Sequence, residues 1–211
     1  MLECINLECM RGDRRLFSGL NFSMNEGELL HIKGANGSGK TSLMRIMGGL
    51  MLQTDGEIRW NSNNIRKLRE EYQKDMLYLG HLPGIKADLT ALENLRVNMA
   101  MSGHEISEDE AWKALGTIGL KGREDLPARV LSQGQQRRVA LARMLVTKAK
   151  IWILDEPFTA LDVKAVAMLQ DVLSEHIGKK GMIALSTHQD FKLSQGNLRT
   201  IDLSGQEAVQ L

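Results

Sequence analysis

The residues Gly34-Ala35-Asn36-Gly37-Ser38-Gly39-Lys40-Thr41 fit the pattern G-x-x-x-x-G-K-[ST]. A triphosphate carries several negative charges, and backbone N–H groups curled at a helix N-terminus hold them at little cost. Glycines let the backbone curl and come close, Lys40 reaches the β- and γ-phosphates, and the Thr41 hydroxyl ligates Mg²⁺, with Ser42 next on the helix. A second constellation is Ile151-Trp152-Ile153-Leu154-Asp155-Glu156, an apolar run ending in two carboxylates. Such a run reads as a buried parallel strand that delivers its C-terminal end to a ligand crevice. There Asp155 can hold Mg²⁺, directly or through water, and Glu156 can polarise an attacking water. A third is Leu131-Ser132-Gln133-Gly134-Gln135-Gln136 running into Arg137 and Arg138, where Ser132 suits a helix cap and Gly134 permits close approach to an anion. Taken singly, each has a plain structural reading: a glycine turn, a capping aspartate, a capped basic helix.

These side chains need elements to place them. Leu2 to Met10 alternates like a half-buried strand, and Leu20, Phe22 and Met24 mark a second. The chain turns at Asn25-Glu26-Gly27 and re-enters as Glu28 to Ile32, leading into the glycine loop and a helix from Thr41. Glu57 to Trp60 completes a β-rich opening of about sixty residues. From about Thr90 to Val146 the period becomes helical, with a capping box at Ser107-Glu108-Asp109-Glu110 and Trp112, Leu115 and Ile118 on one face. Buried parallel strands follow at Ile151 to Leu154 and Met182 to Leu185, joined by a crossover helix carrying Val166, Leu169, Val172, Leu173 and His176. The expected fold is α/β: a P-loop core with an N-terminal antiparallel β region, one domain over 1–211, and a helical subdomain inserted at about 83–145.

Composition narrows the functional classes. The chain has 211 residues, with Lys+Arg 27 against Asp+Glu 26 and a formal net charge of +1, which argues against nucleic acid as the main partner. No apolar run approaches the ~20 residues that span a bilayer. The start, Met1-Leu2-Glu3-Cys4, lacks the features of a secretory signal, so a cytosolic location is expected. Cys4 and Cys9 read as small hydrophobes on the opening strand rather than as a disulfide or metal ligands.

Leu131 to Gln135 resembles the L-S-x-G-Q signature of ABC ATPases, and the resemblance covers nearly the whole chain. Thr159-Ala160-Leu161-Asp162 resembles the family's D-loop, and Ser186-Thr187-His188 its switch-histidine loop. Tyr78-Leu79-Gly80-His81, Pro83 to Lys86, Leu89 to Leu95, Ser132 to Arg143 and Trp152 to Ala160 are similar to the haem-exporter ATPases of bacterial cytochrome c maturation (the CcmA type). The resemblance implies an ATPase using ATP and Mg²⁺, closing head-to-tail as a homodimer. Lys40, Glu156 and His188 would be catalytic, and Ser132, Gly134 and Gln135 would face the partner's nucleotide. It also implies integral membrane subunits of the CcmB and CcmC kind as partners, peripheral attachment at the cytoplasmic face of the bacterial inner membrane, and service to haem handling in cytochrome c assembly.

Two positions depart from the family pattern. ABC ATPases carry a glutamine in the loop after the strand ending near Gly80, which bridges Mg²⁺ and the membrane subunit; here the candidates are His81 and Leu82, with Leu82 at the aligned position. His81 is the nearest side chain able to take the metal-sensing role. At the base-stacking position, normally aromatic, stands Arg11, whose guanidinium can stack on a purine or remain a solvated surface group. A small GTPase or nucleotide kinase would share the glycine loop but not the signature, and no Asn-Lys-x-Asp sequence is present. A soluble ABC ATPase of DNA repair or translation would need coiled coils, tandem domains or a basic face.

Overall fold

The computed structural model describes residues 1–194 and 196–204. Strands β1 (Leu2–Arg11), β2 (Arg14–Met24), β4 (Asp55–Trp60) and β5 (Asn63–Asn64) form an antiparallel sheet in the order β2-β1-β4-β5. In β1 the alternation seats Leu2 and Cys4, then Leu7 and Cys9, in the core. The phase slips between them at an irregularity where Asn6 adopts φ 48°, and Asn21 bonds both its main chain and its amide. Both cysteines are free and buried, and burial pushes their thiols up from the ordinary range.

The second sheet is parallel throughout. Strands β3 (Glu28–Lys33), β6 (Met76–Leu79), β7 (Ile151–Asp155), β8 (Met182–Ser186) and β9 (Asn197–Asp202) pair in the order β6-β7-β8-β3-β9. The runs Ile151 to Leu154 in β7 and Met182 to Leu185 in β8 are apolar at every position because both faces are covered. Ile151, Ile153, Met182 and Ala184 join a core with the antiparallel sheet and helix α1 (Lys40–Met47). Trp152, Leu154, Ile183 and Leu185 face the opposite way into a core shared with the helices. Burying each large apolar side chain contributes ~1.5–3 kcal/mol, which keeps this strand pattern inside.

The helices on that second face include α4 (Ala91–Met101), α5 (Glu108–Leu115), α6 (Gln133–Leu141), α7 (Arg143–Val146) and the crossover α8 (Val163–Gly178). Thr90, Ser107 and Ser132 each open a helix with a capping box. Short helices α2 (Ile65–Leu68) and α3 (Glu70–Asp75) link β5 to β6. The expected elements all form. The sequence reading did not anticipate β5, α2, α3 or β9.

Candidate nucleotide site

β3 runs into the glycine loop, and the loop runs into α1. Gly34 takes φ +151°, and a Cβ there would stand 2.3 Å from Ser38 Oγ, so the tight curl at the loop entrance excludes a side chain. Ser38 N donates to Ala35 O at 3.1 Å, closing the turn. Lys40 Nζ donates to Gly34 O at 2.7 Å and Ala35 O at 3.1 Å, which sets the ammonium across the loop. The N-terminus of α1, with its free N–H groups and positive dipole end, lies at the same point.

β7 ends at Asp155 beside β8, whose Ser186 is its register partner. The Asp155 carboxylate is 2% exposed and accepts from Thr41 Oγ1 at 2.7 Å and from Ser186 Oγ at 2.6 Å. A charge so buried is tolerable because both oxygens are bonded. The next residue, Glu156, turns off the strand with φ 52°, a conformation that costs ~1–3 kcal/mol in a non-glycine residue. Its N–H donates to Ser186 O at 3.0 Å. Its Oε1 makes no hydrogen bond and lies 3.7 Å from Nε2 of the more exposed His188. Lys40, Thr41, His81, Glu156, His188 and Arg11 line one cavity of about 710 Å³.

The loop bearing His188 is held from below. His31, on β3, places Nε2 3.2 Å from Thr187 O and meets the Phe191 ring edge-on at 5.2 Å between centroids. Burial lowers the His31 pKa from the ordinary imidazole value.

Ser132, Gly134 and Gln135 stand apart from this cavity. Ser132 Oγ caps α6 by accepting from Gln135 N, and Gln135 Oε1 accepts from Ser132 N at 2.9 Å. Gly134 has to be small, because a Cβ there would come within 2.9 Å of Ala160 O in the loop after β7. Arg138 pairs with Asp162 at 2.7 Å, and Asp162 itself caps α8 by accepting from Ala165 N. Thus the start of α6 and the stretch Ala160 to Asp162 form one ledge, outside the cavity that the glycine loop lines and that Thr159 borders. In the loop after β6, Leu82 is 80% exposed.

Three residues went unassigned in the sequence. Ser186 and His31 act through distant pairings that one sequence does not display. Arg137 had a readable signal: with Ala140, Leu141 and Met144 it occupies i, i+3, i+4, i+7, the stripe that faces a core. It is 5% exposed, and its guanidinium donates to Gly80 O and Glu156 O at 2.8 Å and to His81 O and Asp155 O at 3.3 Å. Burial lowers its pKa below the ordinary guanidinium value, against the opposing pull of Asp155 and Glu156.

The family profile described as ABC transporter matches residues 17–159, which takes in the glycine loop, the Ser132 helix and the Asp155-Glu156 pair. The chain belongs to the ABC transporter family. Among relatives of this ABC protein, the cytochrome c biogenesis ATP-binding export protein CcmA of Nitrosomonas europaea is 59% identical over 204 residues, 97% of this chain and 96% of the relative. The protein of the same name from Nitrosospira multiformis is 51% identical, over 96% of this chain and 98% of the relative. Among solved structures, a dimeric ATP-binding cassette in a post-hydrolysis state, bound to ADP and Pi, superposes with TM-score 0.80 at 25% identity, covering 90% of this chain and 88% of that one. An ATP-binding subunit of an ABC transporter gives TM-score 0.78 at 27% identity, over 89% and 79%. The α/β fold expected from the sequence, a P-loop core of the ABC ATPase type with its antiparallel β region and helices, is the fold this family protein has.

Proposed function

We propose that this ABC protein is the ATP-hydrolysing subunit of a membrane transporter complex serving haem export or haem-chaperone release in cytochrome c biogenesis, and that it works as half of a head-to-tail homodimer. The observation that carries the reading is the joining of the glycine loop to the Asp155-Glu156 pair through the Thr41–Asp155 hydrogen bond, with Glu156 and His188 in the same cavity. Its relatives' names supply the cytochrome c context.

In this reading the main-chain N–H groups of Gly34 to Thr41 and Ser42 cradle the phosphates, and Lys40 turns its ammonium from the loop carbonyls to the β- and γ-oxygens. Thr41 Oγ1 and Asp155 are a hard oxygen pair of the kind Mg²⁺ takes along with phosphate oxygens and water, and they would hold it. When bound, that ion neutralises charge on the transferring phosphoryl group. Glu156, whose Oε1 has no hydrogen-bonding partner in the protein, accepts a hydrogen bond from the attacking water and aims it in line; His188 stands beside it to bond the γ-phosphate. Arg11 offers its guanidinium plane to the base. Ser132, Gly134 and Gln135 are assigned to a second copy's nucleotide, a reading supported by their standing outside the lining of this chain's cavity.

The helical segment at about 83–145 reads as the inserted subdomain that presents this ledge. No helix among the described residues is long and apolar enough to cross a membrane. Attachment at the cytoplasmic face of the inner membrane therefore falls to CcmB- and CcmC-like membrane subunits, with no part for nucleic acid. A cavity of about 510 Å³ lined by Tyr78, His81, Leu82, Pro83 and Arg143, with Leu82 exposed, is the surface we assign to that contact. His81 is positioned between the two cavities and is our choice for the metal- and partner-sensing side chain. The test is Glu156→Gln with ATP and Mg²⁺. Hydrolysis should fall by ~10²–10⁴ while gel filtration shows an ATP-dependent shift to a dimer. Wild-type turnover in this variant would move the catalytic role elsewhere.

A further inference from the structure

Arg137 is a buried cation whose four hydrogen bonds all go to main-chain carbonyls. Among the described residues it has no carboxylate within ion-pair distance, and its Nε has no partner. Its two terminal nitrogens divide the work. Nη1 donates to Gly80 O and His81 O in the loop after β6, while Nη2 donates to Asp155 O and Glu156 O at the end of β7. A planar guanidinium has a fixed distance between these nitrogens, so it sets the separation of the two loops.

Glu156 depends on that spacing more than its neighbours do. Its side-chain Oε1 has no hydrogen bond to orient it. Its backbone adopts φ 52° and is held at both ends, the N–H by Ser186 O at 3.0 Å and the carbonyl by Arg137 at 2.8 Å. Beyond the 3.7 Å contact with His188, the carboxylate is aimed by its main chain, and Arg137 grips that main chain from α6, the helix that Ser132 opens.

We propose that Arg137 is a positioning residue for hydrolysis: it ties the Gly80–His81 loop to the Glu156 backbone and thereby aims the Glu156 carboxylate at the attacking water. The proposal rests on the reading of Glu156 as the residue that polarises this water. It makes the placement of that carboxylate depend on the loop next to exposed Leu82, so a displacement of Gly80 and His81 is transmitted to Glu156 through one side chain.

The experiment is steady-state ATPase kinetics of the full chain with Arg137→Gln and Arg137→Lys, each alone and combined with Glu156→Gln. Melting curves serve as the folding control. Glutamine has one amide nitrogen and lysine one ammonium, so neither can span both pairs of carbonyls. Both variants should lose about tenfold or more in kcat with KM for ATP changed by less than about twofold, the pattern of an interaction realised only in the transition state. On the Glu156→Gln background the same changes should alter the residual rate by less than about twofold, since residues acting as a unit are not additive. Wild-type kcat in Arg137→Lys overturns the proposal, as does a loss that multiplies fully with Glu156→Gln. If Arg137→Gln fails to fold, the lysine pair carries the same comparison. Wild-type turnover in Glu156→Gln alone is a separate result, which defeats the catalytic reading of Glu156 and leaves any Arg137 effect to be read as structural.

Discussion

Replacing Ser186 with alanine removes one hydroxyl from the centre of the site. Ser186 is fully buried, and its Oγ donates to Asp155 Oδ1 at 2.6 Å. The carboxylate keeps its other bond, from Thr41 Oγ1 at 2.7 Å. Glu156 N keeps its bond to Ser186 O, because that partner is main chain. The change also removes the weaker 3.3 Å acceptor that Ser186 Oγ offers Glu156 N, but the main loss is one short hydrogen bond to a buried charge, worth ~1.5–3 kcal/mol. At ~2–4 °C per kcal/mol for a chain of this size, the melting temperature should fall by about 3–12 °C. The lost bond also frees the carboxylate to rotate, so more Mg²⁺ should be needed for half-maximal ATPase activity. Circular dichroism melts without nucleotide and a Mg²⁺ titration of turnover check the two effects. A melt within about 1 °C of wild type, with an unchanged Mg²⁺ requirement, would refute the argument that this hydroxyl holds Asp155 in place.

Two further expectations follow from particular side chains. On the proposal that the Arg11 guanidinium stacks on the base, discrimination between purines should be blunt, since stacking, worth ~1–3 kcal/mol on an aromatic ring, is open to any base with a π-face. GTP should then compete with ATP within about a hundredfold in equilibrium binding, and a larger preference would mean that another contact reads the base. His176 is stacked on Trp152 at 3.6 Å between ring centroids and 7° between planes, and burial lowers its pKa to about 4. Because the folded value lies below the unfolded one, the unfolded chain binds the extra proton. The stability from this site is complete above pH ~6.5 and is lost as pH falls toward ~4, by at most about 3 kcal/mol before partial exposure reduces it. Denaturant titrations between these pH values should show that slope in wild type and a shallower one in His176→Leu; equal slopes would place the acid sensitivity elsewhere.

The glycine loop, the Asp155-Glu156 pair and the capped helix at Ser132 were legible because each is a local pattern: a run of residues types its own turn, strand end or cap. The two-faced parallel strands Ile151 to Leu154 and Met182 to Leu185 were legible for a related reason, since covering both faces leaves a continuous apolar run. β9 escaped because it is an edge strand with exposed residues at nearly every position and no alternation to read. The short α2 and α3 escaped because neither is long enough to show a period. Ser186 meeting Asp155, and Arg137 reaching both Gly80 and Glu156, depend on β6, β7 and β8 lying side by side. No spacing along one chain displays that adjacency. The separation of Ser132, Gly134 and Gln135 from the chain's own cavity is likewise a matter of tertiary placement, and it supports the proposal that the capped helix serves a second copy.

The most direct test of the functional account is covalent haem attachment to c-type cytochromes in bacterial cells that lack their own CcmA-type subunit and express this chain instead, read by haem staining of denatured protein. Wild type should restore the haem-stained bands. Glu156→Gln, present at the same level, should leave them absent, because the phosphate cradle of Gly34 to Thr41 is intact and only water activation is lost. Restoration by Glu156→Gln to the wild-type level would contradict the claim that ATP hydrolysis at this site powers cytochrome c biogenesis.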